Sequence, residues 1–465
     1  MFDSITYGKG SAVLRMIEQF MGEEEFRTGV GNYLRKHAYG NTVTADLWEG
    51  LDGASEWPIG EIMDTWVYQR GFPQIDVEKT ERGVKLSQRR YLAIPDESDA
   101  TLWSVPIQIR GMAGGSTFSE KILLTGDETE VDIQGELDFV VGNAGSGFFR
   151  TRYDDDLFAS LLNHLTTLDD LERYQLVADT WALVKSGQIP SSNFLDLVGN
   201  FGQETEQQIW SIINGGLASL DHHVVTDETR PAFQAFVSKL VGPAHDRLGW
   251  DPVEGESDLT RRLRGDLIAV MGNIAEDATV IDRARSVVKE LLADEHVDPE
   301  VATAALSVYA RHGGEGEYDK LWKAYKEAGL PLDQVRYLGA VAGIPEEAMV
   351  ERTMQKILDE DIRTQDGFWV LARLLGGKGG PKAWSIARSN WAGLIDKMPG
   401  MTKRRVVEGL PALSKPEVAA DVKAFFAETP FPEGAAFLTQ KLENLEANVK
   451  LRERETKVVE EYFGS

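Results

Sequence analysis

The chain contains no cysteine. That absence excludes disulfides, thiolate metal sites and cysteine nucleophiles together, and it fits a reducing, cytoplasmic setting. Long apolar runs are missing too: none approaches the ~20 residues needed to span a bilayer, and the N-terminus lacks the basic-then-apolar order of a secretion signal. No membrane partner is expected from these features. Basic residues are outnumbered, 49 against 75 acidic ones, for a formal net charge of −26. A nucleic-acid partner requires a concentrated positive face, so none is expected. Catalytic signatures are equally scarce. None of the seven histidines (His37, His164, His222, His223, His245, His296 and His312) begins an H-E-x-x-H spelling, and no Gly-x-Ser-x-Gly elbow occurs. Gly376-Gly377-Lys378-Gly379-Gly380 lacks the hydroxyl and spacing of a phosphate loop and reads as a flexible link between helices. His222-His223 is the only dense histidine cluster. Adjacent residues do not face one point as i, i+4 ligands do, so it reads as a solvated polar turn beside Asp221.

What is present is a chain of 465 residues with ordinary apolar content, 42%, too long for one compact core. From Lys9 to about Gly71 the pattern is that of four helices. Val13, Ile17 and Phe20 recur at helical spacing, as do Phe26, Val30, Tyr33 and Leu34. Thr44 is placed to cap the third helix, and Pro58 suits the start of a fourth that buries Ile59, Ile62, Met63 and Trp66. These helices end in so short a stretch that their apolar faces call for a partner from outside it, leaving an exposed hydrophobic patch. At Gly71-Phe72-Pro73 the period changes. Residues 74–78, 84–88 and 104–110 alternate apolar and polar side chains, Gly and Asp clusters punctuate them, and Phe139-Val140-Val141 forms a last strand before a glycine-rich hinge at 142–147. Beyond residue 147 the chain reads as helix after helix, with Leu157, Leu161 and Leu165 on one face and Leu176, Thr180, Leu183 and Val184 on another. Asp154-Asp155-Asp156 has the look of a helix N-terminus rather than a calcium loop. The expected fold is mainly α with a small β domain. Helices occupy residues 1–71, a small β-sandwich 72–146, and an α-solenoid of armadillo or HEAT character 147–465.

Tyr7 stands at the head of the first helix, followed by Gly8-Lys9-Gly10. On residues alone it reads either as a half-buried packing residue or as a phenol aimed into a cleft. Phe2-Asp3-x-Ile5-Thr6-Tyr7-x-Lys9-Gly10-Ser11-x-Val13-Leu14-x-Met16 resembles the segment that carries the transition-state tyrosine in zinc aminopeptidases of the aminopeptidase-N and puromycin-sensitive type. His37-Ala38-Tyr39-Gly40-Asn41-Thr42, Asp46-Leu47-Trp48 and Met63-Asp64-x-Trp66-x-x-Gln69-x-Gly71-Phe72-Pro73 follow in that family's order and spacing. Arg247-Leu248-Gly249-Trp250, Ile362-Arg363-Thr364-Gln365-Asp366 and Ala383-Trp384 are similar to markers of its helical C-terminal domain.

The resemblance implies that residues 1–71 are the closing helices of a thermolysin-like catalytic domain. It also implies that Tyr7 donates a hydrogen bond to the developing oxyanion of a peptide substrate, an effect of ~3 kcal/mol on the barrier. Phe2, five residues earlier, occupies the place of an aromatic that lines the first side-chain pocket in some relatives. A core residue is its bland alternative. The family's zinc, held by two His of H-E-x-x-H and a distant Glu, has no ligands in this sequence. Zinc therefore belongs to the complete enzyme, and none is expected to be bound by this chain. The expected partners are peptide substrates and an N-terminal catalytic half, without which the chain is expected to be inactive. The rival expectation is a non-catalytic peptide-binding or protein-interaction scaffold built on the helical domain.

Overall fold

The computed structural model describes residues 8–96, 98–400 and 402–464, and the chain divides into two compact units at Ser186 and Gly187. Among the described residues, twenty α-helices and seven strands make a mainly helical protein with a small sheet region.

The first unit opens with α1 (Gly10–Met21), whose buried side chains Val13, Met16, Ile17, Phe20 and Met21 follow the i, i+3, i+4, i+7 rule for one helical face. α2 (Glu23–Lys36) carries Glu23, Glu24 and Glu25 in its first turn and Arg35 and Lys36 in its last, complementing the helix dipole at both ends. It buries only Gly29, where an added Cβ would lie 2.9 Å from Gly50 O and Leu51 Cα; glycine lets α2 and the next helix touch. That helix, α3 (Thr44–Asp52), starts one residue earlier than the sequence pattern suggested. Thr44 is its first residue rather than its cap, and Asp46 accepts the Val43 amide hydrogen at 2.8 Å, because Val43 itself has no side-chain acceptor. α4 (Ile59–Val67) follows Pro58 and buries Ile59, Ile62, Met63 and Trp66 as expected.

The strands β1 (Pro73–Lys79), β2 (Gly83–Arg90), β3 (Val105–Ala113), β4 (Ser116–Leu124), β5 (Glu128–Asp132), β6 (Leu137–Val141) and β7 (Arg150–Tyr153) form two sheets, ordered β5-β2-β1-β7 and β4-β3-β6. β7 pairs parallel with β1, and every other pairing is antiparallel. Both sheets contribute to one apolar core: Ile75, Val77, Val84 and Leu86 from the first and Val105, Ile107, Ile109 and Val140 from the second. The same core takes in Val13, Ile17, Ile62 and Trp66. This corrects the expectation of an exposed apolar patch for α1 and α4, whose faces are covered within their own unit, with Phe20 and Trp66 each 1% exposed. On α2 the expected face stays partly open: Phe26, Val30 and Tyr33 are half-buried and Leu34 is 60% exposed. α5 (Asp155–Asn163) begins at Asp154, whose carboxylate accepts the Leu157 amide hydrogen at 2.8 Å, the N-cap read from the sequence. α6 (Asp170–Ser186) belongs to this unit as well. Its buried Asp179 accepts from the Thr151 amide at 2.8 Å and from Arg150 Nη1 at 3.0 Å, tying it to β7.

The second unit is helical throughout: α7 (Ser191–Val198), α8 (Gln207–His223), α9 (Arg230–Leu248), α10 (Asp258–Asn273), α11 (Ala278–Leu292), α12 (Pro299–Arg311), α13 (Glu315–Glu327), α14 (Pro331–Val341), α15 (Glu347–Leu358), α16 (Thr364–Gly376), α17 (Gly380–Ser389), α18 (Trp391–Lys397), α19 (Pro416–Glu428) and α20 (Ala435–Gly464). Proline opens α12, α14 and α19, where its missing N–H costs nothing. Each of α8, α10, α12 and α14 packs against the next even-numbered helix, so α8, α10, α12, α14 and α16 form one continuous row. The C-terminal α20 returns along α19 to meet α7 and α8. Glu455 on it, buried, accepts the Ser191 amide hydrogen at 2.7 Å and so caps α7 from the far end of the unit. No helix among the described residues is long and apolar enough to cross a membrane.

Candidate functional site

Two regions carry candidate chemistry, one in each unit. In the first, Tyr7 and Phe2 lie outside the described residues, and what is described begins directly after Tyr7. Gly8 and Gly10 have open space where a Cβ would stand, so no described neighbour demands glycine there. Lys9 supplies the anchor. Its ammonium donates to Gly71 O at 2.9 Å and to Gln69 O at 3.2 Å, fastening the residues that follow Tyr7 to the turn that follows α4. Burial lowers the pKa of Lys9 below that of a free lysine, and the nearby Arg90 guanidinium lowers it further.

The other quoted motif residues in this unit are staples. Trp66 Nε1 donates to Ser104 O at 3.0 Å and Gln69 Nε2 to Leu102 O at 3.0 Å, joining the end of α4 to the lead-in of β3. Tyr33 and Thr42 share a hydroxyl hydrogen bond of 2.8 Å, and His37 Nε2 stands 3.9 Å from Asp46 Oδ1, closing the loop between α2 and α3. Tyr39 at the tip of that loop is fully exposed and adopts φ 62°.

The histidines do not form a metal site. Among the described residues no three His, Asp or Glu side chains converge. His222 and His223 are not a solvated turn, which corrects the sequence reading. They close α8 from within the second unit, His222 Nε2 against Ala412 O at 2.9 Å and His223 Nδ1 against Ser414 Oγ at 2.7 Å. Burial lowers both pKa values, that of His223 to about 3, so both rings are neutral at pH 7. The residues present therefore do not fit the zinc that the resemblance implies, and no step is routed through a metal here.

In the second unit the row of even-numbered helices lines an open cavity of about 680 Å³. Its walls are cut from small residues, among them Gly215, Ala218, Ala269, Ser307 and Gly343, which keep side chains out of the space. Asp221 at its edge is shared by two arginines, Arg230 Nη1 at 2.5 Å and Arg311 Nη2 at 3.4 Å. Arg373 on α16 is different: it reaches solvent inside the cavity and has no hydrogen-bond or ion-pair partner among the described residues. The enclosing walls lower its pKa by desolvation. Adjoining it is an apolar shelf of Leu332, Val335 and Trp369. Small residues, a free guanidinium and an apolar shelf together form a trough suited to an extended chain with an anionic group. Sequence reading missed these residues because single arginines on three separate helices look like ordinary solvent-facing positions. The signal that could have found them is the run of Gly and Ala on faces that a packed helix fills with larger side chains.

Two stretches of the chain match known families. Residues 139–447 match the family described as ERAP1-like C-terminal domain, and residues 1–66 match the peptidase family M1 domain. Aminopeptidase M1-A of Oryza sativa is 28% identical over 97% of this chain and 53% of its own length. Aminopeptidase 2 of Candida albicans is 28% identical over 100% of the chain and 51% of its own length, and aminopeptidase M1 of Arabidopsis thaliana is 26% identical over 96% and 54%. The chain spans about half the length of the curated relatives it matches.

Proposed function

The chain belongs to the M1 aminopeptidase family, carrying its ERAP1-like C-terminal domain over most of its length, and we propose that it forms the C-terminal part of a zinc metalloaminopeptidase that removes N-terminal residues from peptides. The match of residues 1–66 to the M1 domain carries this reading, because it includes Tyr7 and the Lys9 anchor behind it. In this account residues 1–71 are the last helices of a thermolysin-like domain, 72–146 a β-sandwich, and 147–465 an α-solenoid. The packing of the helices in the second unit supports the last assignment from Gly187 onward, whereas residues 150–153 pair with β1 and α5 and α6 belong to the first unit.

Tyr7 then donates its phenolic hydrogen to the oxygen that gains charge in the tetrahedral transition state. Phe2 lines the pocket for the first side chain of the substrate. The zinc and the base that activates water come from residues outside this chain. In the second unit, Arg373 offers a counter-charge to an anionic group of a peptide lying in the small-residue trough. The second reading, a peptide-binding scaffold without chemistry, draws on the same trough, since everything the trough needs is present in this chain.

Reconstitution separates the two. The isolated chain should show no aminoacyl-amide hydrolysis above background. Joined covalently or in trans to an N-terminal half bearing H-E-x-x-H, it should become active, and Tyr7→Phe should then lower turnover by roughly two to three decades with little change in substrate affinity. A reconstituted enzyme indifferent to Tyr7→Phe leaves the scaffold as the better reading.

A further inference from the structure

Adjoining the trough, and sharing Asp221, His222, Arg311 and Gly377 with it, the second unit holds a smaller cavity of about 340 Å³ whose electrostatics run against the rest of the chain. The protein as a whole carries a formal charge of −26. This cavity is lined by five cations, Arg230, Arg311, Lys378, Lys415 and Arg452, and by only two carboxylates, Asp221 and Asp227. The cations come from five places in the fold: the first turn of α9, the last of α12, the glycine-flanked loop between α16 and α17, the residue before α19, and the middle of α20.

Their pairing is incomplete. Asp221 is already divided between Arg230 and Arg311. Lys378 has only a long contact, 3.8 Å, with Glu276. Arg452 donates to two neutral acceptors, His222 O at 3.1 Å and Ser414 Oγ at 3.3 Å, and has no carboxylate within ion-pair distance among the described residues. The Lys415 ammonium has no hydrogen-bond or ion-pair partner among them. Burial lowers the pKa values of Lys378, Arg311 and Arg452, and for Lys378 the positive charge of Arg311 adds to it. Charges that are partly desolvated and not neutralised are costly to a fold, and a multivalent anion relieves that cost. A single carboxylate would satisfy one cation of the set and leave the rest.

We propose that this cavity binds a compact multivalent oxyanion of the phosphate class, held by Lys378, Lys415 and Arg452 with Arg311 behind them. The ligand chemistry is shared by inorganic phosphates and small phosphorylated metabolites, and it does not rest on the aminopeptidase reading, although Arg311 stands where this cavity meets the trough. The glycines around Lys378 let its loop adjust over the ligand, and the anion ties together α12, the α16–α17 loop, the residue before α19, and α20.

The test is calorimetric titration of the full chain with pyrophosphate, inorganic phosphate and a phosphomonoester such as glycerol phosphate, in chloride buffer of matched ionic strength. Saturable binding of at least one of the three at one site per chain is expected, and which one binds most tightly tells an inorganic ligand from a metabolite. The double variant Lys378→Gln/Lys415→Gln should weaken it by at least about tenfold. Lys382→Gln, at a lysine paired with Glu351 outside the cavity, should leave it unchanged. Should the double variant not fold, the exposed Lys415→Gln alone should still weaken binding measurably. Absence of saturable binding by all three overturns the proposal. So does equal weakening in Lys382→Gln, or competition for the site by a peptide with a free terminal carboxylate that its amide does not share.

Discussion

Replacing Lys9 with methionine keeps the length of the side chain and removes its donors. Two backbone carbonyls, Gly71 O and Gln69 O, then lose the ammonium that stands 2.9 and 3.2 Å away. A buried acceptor left without a donor costs about 1–3 kcal/mol, and these two are half-buried, so the lower end applies to each and the pair amounts to about 2 kcal/mol. For a unit of this size that corresponds to a fall in Tm of about 4–8 °C. Scanning calorimetry of Lys9→Met against the parent measures it. Hydrogen exchange should localise the loss to the start of α1 and the turn at Gln69–Gly71. The pH dependence has a defined sign. The folded-state pKa of Lys9 lies below the ordinary lysine value of 10.5, so between the two the unfolded chain binds more protons and stability rises with pH. Lys9→Met should remove that rise. On the function proposed for Tyr7, the same substitution in a reconstituted enzyme should lower kcat, since a displacement of about 1 Å at a catalytic group can cost around a hundredfold. An unchanged Tm together with unchanged exchange at α1 would refute the anchor between Lys9 and the turn at Gln69–Gly71.

Two further outcomes follow from the second unit. His223, neutral in the fold with a pKa pushed down to about 3, must stay unprotonated while the unfolded chain takes up a proton near pH 6.5; stability should therefore fall as pH drops from about 6.5 toward 3, by at most about 4–5 kcal/mol, and urea midpoints of His223→Gln should show a shallower slope. Glu455→Ala removes the carboxylate that caps α7 and should cost about 2–3 kcal/mol in denaturant unfolding, with exchange at the first turn of α7 rising most; Glu455→Gln should recover part of that loss.

What the sequence disclosed and what it withheld divide along physical lines. α1 and α4 were legible because their buried residues repeat at helical spacing, and β1, β2, β3 and β6 because one face of each is apolar. β4 and β5 expose most of their side chains and so have no apolar alternation to find, while β7, Arg150–Tyr153, is a short polar strand whose position depends on β1 and on Asp179 beneath it. The spelling around Tyr7 pointed to the family, yet the reason Lys9 accompanies Gln69 and Gly71 is a contact across sixty residues that no local pattern encodes. His222 and His223 looked polar and solvated because the two partners that bury them, Ala412 and Ser414, lie 190 residues onward. The same distance in sequence hides the second unit's cationic cavity, whose five cations come from positions between 230 and 452 and read singly as surface charge. A net charge of −26 conceals it further, since composition averages over the chain whereas binding depends on the potential at one place. Helices that stack in a row gather residues from each repeat onto one wall. In such a fold the chemistry of a site is set by which helix ends meet, and a sequence reveals that only after the row itself is known.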